Sequence, residues 1–384
     1  GNVPNLRFPE FSGEWEEYKL GDIADVIGGG TPETDKPNYW NGKYVWFTPT
    51  EIGKVKYVSG SMRTISELGL KNSSAKLLPI GTILLSTRAT IGECSIALLE
   101  CTTNQGFQSL IAKPNINNEF LYYLALTLKR ELLTKANGST FLEISASEIR
   151  NIRRAIPSIE EQKKTTSLLS LIDERIATQK KIIEELKVLK SAIAERLFSC
   201  RTSCAEYFYR DLFAISSKRN KDMARTNILS ASQEFGMIER DKLNIDIKFN
   251  TESINTYKLV DDGDYIIHLR SFQGGLAFSA KSGICSPAYT ILKPSHLLEY
   301  GFLKLYFTSK SFIKSLVLVT YGIRDGRSIS VDEFLDLTVY MPTKDEQKII
   351  STALNKWDNK IANEAKLLEL LKDQKQYLLS QMFI

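Results

Sequence analysis

The sequence predicts an α+β protein built from two tandem globular domains, each followed by a long helix. The two helices are expected to form an antiparallel coiled coil with pseudo-two-fold symmetry. Three observations predict this. A helix start, PSIEEQKK at 157–164, recurs near the C-terminus as PTKDEQK at 342–348; strand-like runs upstream of the two copies echo one another; and both helices carry a heptad seam interrupted by polar residues at equivalent places.

The helical repeat aligns Pro157 with Pro342 and continues without a gap. Glu161 falls on Glu346, Gln162 on Gln347, Asp173 on Asp358, Ile176 on Ile361, Lys190 on Lys375 and Phe198 on Phe383. The upstream echo is fainter. GTILLSTR (81–88) lies on GDYIIHLR (263–270), pairing Arg88 with Arg270; NQGFQSLIAKP lies on SPAYTILKP; Phe120 falls on Phe302; and ISASEI (144–149) falls on ISVDEF (329–334) after a short insertion. The expected division is a first globular domain over 1–152, a first long helix over 153–203, a second domain over 204–336 and a second long helix over 337–384.

Within each domain, β-branched and aromatic runs such as YVWFTP, GTILLST, DYIIHL and YTILKP, punctuated by Gly, Pro, Asn and Asp, predict strands and turns. FLYYLALTLKRELLTKA and EYGFLKLYFTSKSFIKSLV have helical spacing, so each domain mixes helix and sheet.

The helices say more through their seams. Ile172, Ile176, Gln179, Ile183, Leu186, Lys190, Ile193 and Leu197 step by four and three, and the second copy gives Trp357, Ile361, Glu364, Leu368, Leu371, Lys375, Leu378 and Met382. One such helix would simply bury its face on its own domain; two in one chain supply partners for each other. A parallel pairing would bury Lys190 against Lys375, a costly like-charge contact. An antiparallel pairing with the seam centres matched sets Lys190 against Glu364 and Gln179 against Lys375. The seam from 172 to 197 would span roughly 38 Å, comparable to one turn of B-DNA, and hold the domains apart.

Composition excludes several classes. Apolar and charged contents, 43% and 25%, are those of an ordinary globular protein, and 384 residues exceed one usual core. No apolar run reaches the roughly 18 to 20 residues a bilayer needs, and GNVPNLRFPEF lacks signal-peptide character, so the expected compartment is the cytoplasm. Net charge is +5 and evenly spread: Lys plus Arg against Asp plus Glu is 14 to 15 over residues 14–152 and 18 to 16 over 200–336. That balance permits nucleic-acid binding without indicating it. Five cysteines and two distant histidines, His268 and His296, offer no zinc-ligand spacing, and the cysteines are read as reduced.

Catalytic motifs are equally scarce. IGGGTPETDKPNYW is Gly-rich but lacks the Lys-Ser/Thr of a phosphate-binding loop, and SPAY (286–289) lacks the amide or carboxylate with which adenine methyltransferases hold the amino group. Acidic-x-Lys triplets at Asp246 and Lys248, and at Glu185 and Lys187, are too short to define a nuclease. The chain is expected to carry no catalytic residue, metal or cofactor of its own.

Taken in order, EWEEYKLGDIADVIGGGTP, YWNGKYVWFTPTEI, LLSTRATIG, TNQGFQSL and IPSIEEQKK, duplicated in degenerate form, resemble the specificity subunit of type I DNA restriction-modification systems. The second half departs at its start, where EYFYRDLFAISSKRN replaces the Gly-Gly-Thr-Pro loop. The resemblance implies that each globular part is a target recognition domain reading one half of an asymmetric bipartite site in double-stranded DNA. It implies that the helices dock two modification (methyltransferase) subunits, which bind S-adenosylmethionine and methylate adenine, and that separate restriction/translocase subunits move along DNA and cut it. The DNA-facing residues expected on this basis are Thr31, Lys36, Asn38, Tyr39, Lys54 and Arg88 in the first domain. In the second they are Lys218, Arg219, Lys221, Arg270, Gln273, Tyr321, Arg324 and Arg327. Two alternatives stand beside this reading: a stand-alone DNA-modifying or cleaving enzyme, and a coiled-coil scaffold that binds only proteins.

Overall fold

The computed structural model describes residues 1–136, 142–199, 204–232, 235–242, 251–322 and 328–384. It divides into two compact units, one made of Gly1–Gln179 with Leu367–Ile384 and the other of Lys180–Lys366. Each unit therefore contains one globular domain and a segment of both long helices.

Those helices run from Ile159 to Ser199 and from Lys344 to Met382. Both are rich in Leu, Glu, Lys and Gln and contain no Gly or Pro, which suits long uninterrupted helices. They begin later than expected. Arg153–Ile156 is a strand, paired antiparallel with Glu16–Lys19, and Thr338–Met341 pairs the same way with Ala205–Phe208. Pro157 and Pro342 end these strands, and the helices start just beyond them. Each globular domain thus begins and ends in one short two-stranded ribbon.

The repeated helix start is explained by its glutamine. Gln162 is 1% exposed; its Nε2 donates to the carbonyls of Pro157 (3.0 Å) and Asn115 (3.3 Å), and its Oε1 accepts from Asn117 N at 2.9 Å. Gln347, 2% exposed, donates to the carbonyls of Pro342 and Leu297, both at 3.0 Å, and accepts from Glu299 N at 2.9 Å. A neutral side chain with two donors and an acceptor satisfies three buried backbone groups at once and locks the helix to a loop of its own domain. The accompanying glutamates differ. Glu346 caps its helix by accepting from Thr343 N and Oγ1, whereas Glu161 accepts a bidentate pair from Arg7, both bonds at 2.8 Å.

In the first unit, the main sheet has the strand order Ala24–Gly28, Gln108–Ala112, Ile83–Leu85, Cys94–Ala97, Tyr57–Val58. A second sheet sets Trp40–Phe47 between Arg63–Ile65 and Cys101–Thr103. The core packs the main sheet on helix Asn118–Thr127 together with Leu169 and Ile172 of the first long helix and Leu378, Met382 and Phe383 at the end of the second. Phe120 and Phe383 stack with ring centroids 5.1 Å apart.

The second unit repeats the scheme. Its sheet orders Phe213–Ser216, Thr290–Pro294, Tyr265–Ile267, Ala277–Phe278, and the pair Tyr265 with Leu292 reproduces Ile83 with Leu110 at the sequence offset of the echo. Phe302, the counterpart of Phe120, meets Phe198 at 5.4 Å. Phe198 is the counterpart of Phe383, so each domain is packed by the end of the helix that follows the other domain. EYGFLKLYFTSKSFIKSLV does not form the continuous helix expected. Gly301 takes a left-handed φ of 68°, Phe302–Lys304 and Tyr306–Thr308 are 3₁₀ turns, and Ser309 caps a new helix, Lys310–Ser315, by accepting from Phe312 N. Turning Phe302, Phe307 and Phe312 into one aromatic core outweighs regular helix geometry.

All sixteen seam residues are buried or half-buried, while most of their helical neighbours are exposed. Within each unit the pairing is antiparallel, the early part of one helix lying with the late part of the other. The ion pairs differ in detail from expectation. Lys190 pairs with Asp358, not with Glu364, which pairs with Lys360 on its own helix; Lys375 pairs with Asp173 at 2.6 Å. Asp173 and Asp358 are repeat equivalents, as are Lys190 and Lys375, so the two pairs are one interaction written twice. The carboxylates flank the seam and keep partial exposure, 19% and 39%, while the lysine stems are covered. That arrangement costs less desolvation than an ion pair inside the seam.

In the first unit this pair continues into a polar network. Tyr123 donates to Asp173 at 2.6 Å, and Lys56 reaches Glu119, Tyr123 and Ser170 at 3.0, 3.1 and 2.8 Å. Burial alone would raise the Glu119 carboxyl, but hydrogen bonds from Tyr57, Ser170 and Lys56 outweigh it and hold the group below the usual carboxylate range.

Candidate nucleic-acid interface

The first domain gathers its unusual loops on one tryptophan pair. Trp40 and Trp46 stand edge to face at 5.1 Å and are nearly buried. Their indole N–H groups donate to the carbonyls of Glu33 (3.1 Å) and Gly30 (2.9 Å), pinning the GGGTPET segment at two points. The glycines are required by close approach. A Cβ on Gly29 would lie 2.1 Å from the carbonyl oxygen of Asn104, and one on Gly30 would lie 2.2 Å from Ser74 Oγ.

Around the turn at 104–106, two of the expected DNA-facing residues converge. Thr31 donates to Gln105 at 2.5 Å, and the backbone beside Arg88 is held there by Thr87 N donating to Gly106 O at 2.8 Å. The Arg88 guanidinium meets Glu143 at 2.5 Å, which offsets its charge. Lys36 is exposed, pairs with Glu33 at 2.9 Å and lies over the Tyr39 ring; Asn38 and Lys54 are exposed. Tyr39 does not face outward. At 8% exposure it packs with Trp40, Trp46, Ile65 and Ala75, an aromatic at the end of the 3₁₀ turn Pro37–Tyr39 drawn into the core by its tryptophan neighbours.

Arg63 is the residue that sequence reasoning missed. Its guanidinium lies 3.6 Å from the centroid of the Trp40 ring and 5.4 Å from that of Trp46. The segment that carries it is fixed by Met62 N donating to Glu51 at 2.7 Å and by Trp46 N donating to Ser61 at 3.2 Å. Only the W-x₅-W spacing of Trp40 and Trp46 hinted at a stacking platform.

In the second domain the strand Phe213–Ser216 corresponds to Ala24–Gly28, so the loop that follows it, 217–225, takes the topological place of the Gly-rich segment. Its sequence, SKRNKDMAR, is basic where the other, GGGTPETDK, is slightly acidic. Asn220 is fully buried and organises the loop, donating to Arg225 O at 2.8 Å and accepting from Arg225 N at 3.2 Å. Lys218, Arg219 and Lys221 are left exposed on it. Arg225 turns inward to Asp261 at 2.7 Å, and hydrogen bonds from Lys293 and then Arg225 hold that carboxyl below its ordinary range. Arg270 and Gln273 are exposed at a separate turn after Tyr265–Ile267, and Tyr321 donates to Glu333 at 2.6 Å. Arg324 and Arg327 lie outside the described residues, as do Asp246, Lys248 and Cys200.

Among the described residues no cluster of three His, Cys, Asp or Glu side chains could hold a metal, and no helix is long and apolar enough to cross a membrane. Cys94, Cys101 and Cys285 are buried free thiols; burial pushes Cys101 and Cys285 up to about 12.

A duplicated α+β fold whose loops vary while its frame repeats defines a class. The chain belongs to the family of the type I restriction modification DNA specificity domain, whose model matches twice, over residues 12–188 and 204–373. Similar proteins include the type I restriction enzyme MjaIX specificity subunit of Methanocaldococcus jannaschii, 36% identical over 216 residues, covering 55% of this chain and 49% of that one. The EcoR124I/EcoR124II specificity subunit of Escherichia coli is 28% identical over 175 residues, covering 44% and 43%. The chain thus spans about half the length of these two relatives. The putative MjaX specificity subunit of M. jannaschii aligns over 99% of this chain and 95% of its own at 24% identity. Among solved structures, a chain from work on complex assembly and conformational transition of the type I R-M system matches with a TM-score of 0.64 at 16% identity, over 98% of both chains. The type I S subunit of M. genitalium matches at 0.52 and 16%, over 100% of this chain and 99% of that one. At such identities the structural likeness speaks for the fold alone.

Proposed function

We propose that this chain is the non-catalytic, sequence-specific DNA-recognition subunit of a type I restriction-modification complex. Residues 1–152 and 204–336 act as two target recognition domains, each reading one half of a bipartite, asymmetric site in double-stranded DNA. The long helices dock two modification subunits, which bind S-adenosylmethionine and methylate adenine; restriction/translocase subunits complete the cutting assembly.

The observation that carries this reading is the contrast between frame and loops. Strand register, the glutamine clamp, the ion pair and the Phe–Phe contact recur in both halves, while the loops at equivalent strand ends, GGGTPETDK and SKRNKDMAR, share almost nothing. A frame under one constraint bearing two unlike surfaces suits the reading of two unlike half-sites.

The test is the purified chain with and without its modification subunits. With them, DNA binding should depend on two separated sequence blocks and adenine methylation should follow those blocks. Alone, the chain should neither transfer methyl groups from S-adenosylmethionine nor cut DNA with magnesium. Either activity in the isolated chain would favour the stand-alone enzyme, and an absence of sequence-dependent binding in the assembled complex would favour the protein-only scaffold.

A further inference from the structure

We propose that Arg63 reads a guanine in the half-site of the first domain, donating two parallel hydrogen bonds to O6 and N7 on its major-groove edge; this rests on the DNA-recognition function proposed above.

The placement comes first. Arg63 sits over the tryptophan pair that pins the Gly-rich segment, so it shares one platform with Thr31, Gln105 and Lys36. The chemistry comes second. A guanidinium whose Cζ lies 3.6 Å from the centroid of the Trp40 ring has no room to aim an N–H group at the indole face, so its donors are directed edgewise, away from the ring. Among the described residues no carboxylate lies within ion-pair distance of Arg63, in contrast to Arg88, which meets Glu143, and Lys36, which meets Glu33. Arg63 is exposed, so these donors point to solvent in the free protein. The third consideration is rigidity. Trp40 is fixed by Glu33 O, Trp46 by Gly30 O, and the segment before Arg63 by Glu51. A fork already immobilised loses little rotamer freedom on binding. Its two parallel donors match the two acceptors of guanine, whereas adenine offers an acceptor beside a donor.

The assembled complex, with its modification subunits, can be presented with duplexes randomised through the site. The unsubstituted protein should require guanine at one position of the first half. Arg63→Ala should flatten the preference there by roughly ten- to a hundred-fold and leave the second-half preferences unchanged. Arg63→Lys, which keeps the charge but not the fork, should flatten it as well and guards against misfolding of the alanine variant. Replacing that guanine by 7-deazaguanine should weaken the unsubstituted complex and leave Arg63→Ala indifferent. A uniform loss across all sequences, with a shallower salt dependence, would mean a phosphate contact and overturn the assignment, as would an equal 7-deazaguanine penalty in both proteins. If the unsubstituted complex shows no base preference anywhere, the recognition function falls with it; if it does and Arg63 variants keep it, only the Arg63 assignment falls.

Discussion

At the scale of single residues, the most economical device in the chain is the buried glutamine at each helix start. Gln162 and Gln347 each satisfy three backbone groups that face no water. Replacing either by alanine strands two carbonyls and an N–H, and we expect a loss of about 1–3 kcal/mol in each case. Glutamate, which accepts but cannot donate when ionised, should be worse than alanine at both positions. Denaturant unfolding of the single variants checks this; a cost below about 0.5 kcal/mol would mean that water replaces the amide. These glutamines were visible in the sequence as a repeated letter, but their partners at 115–117 and 297–299 were not, since nothing local announces which loop a helix start will meet. Tyr39 makes the opposite point. Its setting in a polar, Asn- and Lys-containing loop suggests an outward aromatic, and only the position of Trp46 seven residues on draws it inward.

At the scale of elements, the long helices owe their sense to charge and their register to packing. The sequence rules out a parallel pairing through Lys190 and Lys375, and the structure agrees on direction while moving the partner from Glu364 to Asp358. Matching the centres of two seams fixes register only to within a turn. The choice of Asp358 over Glu364 reflects a flanking carboxylate that stays partly hydrated. Charge exchange distinguishes the two. Lys190→Glu should destabilise the protein by about 1–3 kcal/mol, since it faces one carboxylate with another in a half-buried setting. Adding Asp358→Lys should restore part of the loss, whereas Glu364→Lys should not. The same cycle with Lys375 and Asp173 should behave alike, because the pairs are equivalent under the repeat. Additive effects in the Lys190 and Asp358 cycle would exclude a direct pairing.

At the scale of the whole molecule, the two ribbons that open and close each domain make the domains exchangeable. Glu16–Lys19 with Arg153–Ile156, and Ala205–Phe208 with Thr338–Met341, are equivalent joints leading to equivalent helix starts. A chain in which the second domain is replaced between these strands by that of another family member should fold and assemble. It should also recognise a site altered in one half only, as read by mapping methylated adenines. A change in both halves would mean that the domains do not read independently.

The sequence by itself determined the duplication, the existence of the two long helices and their antiparallel sense, because periodicity, repetition and like-charge repulsion are all carried by residues near one another in the alignment of the chain with itself. Only the tertiary structure decided that each domain is closed by the other copy's helix end, through Phe383 on Phe120 and Phe198 on Phe302, and that Arg63 lies over Trp40. Such contacts join residues far apart in the chain, and which distant surfaces meet is settled by packing a common core rather than by any local preference.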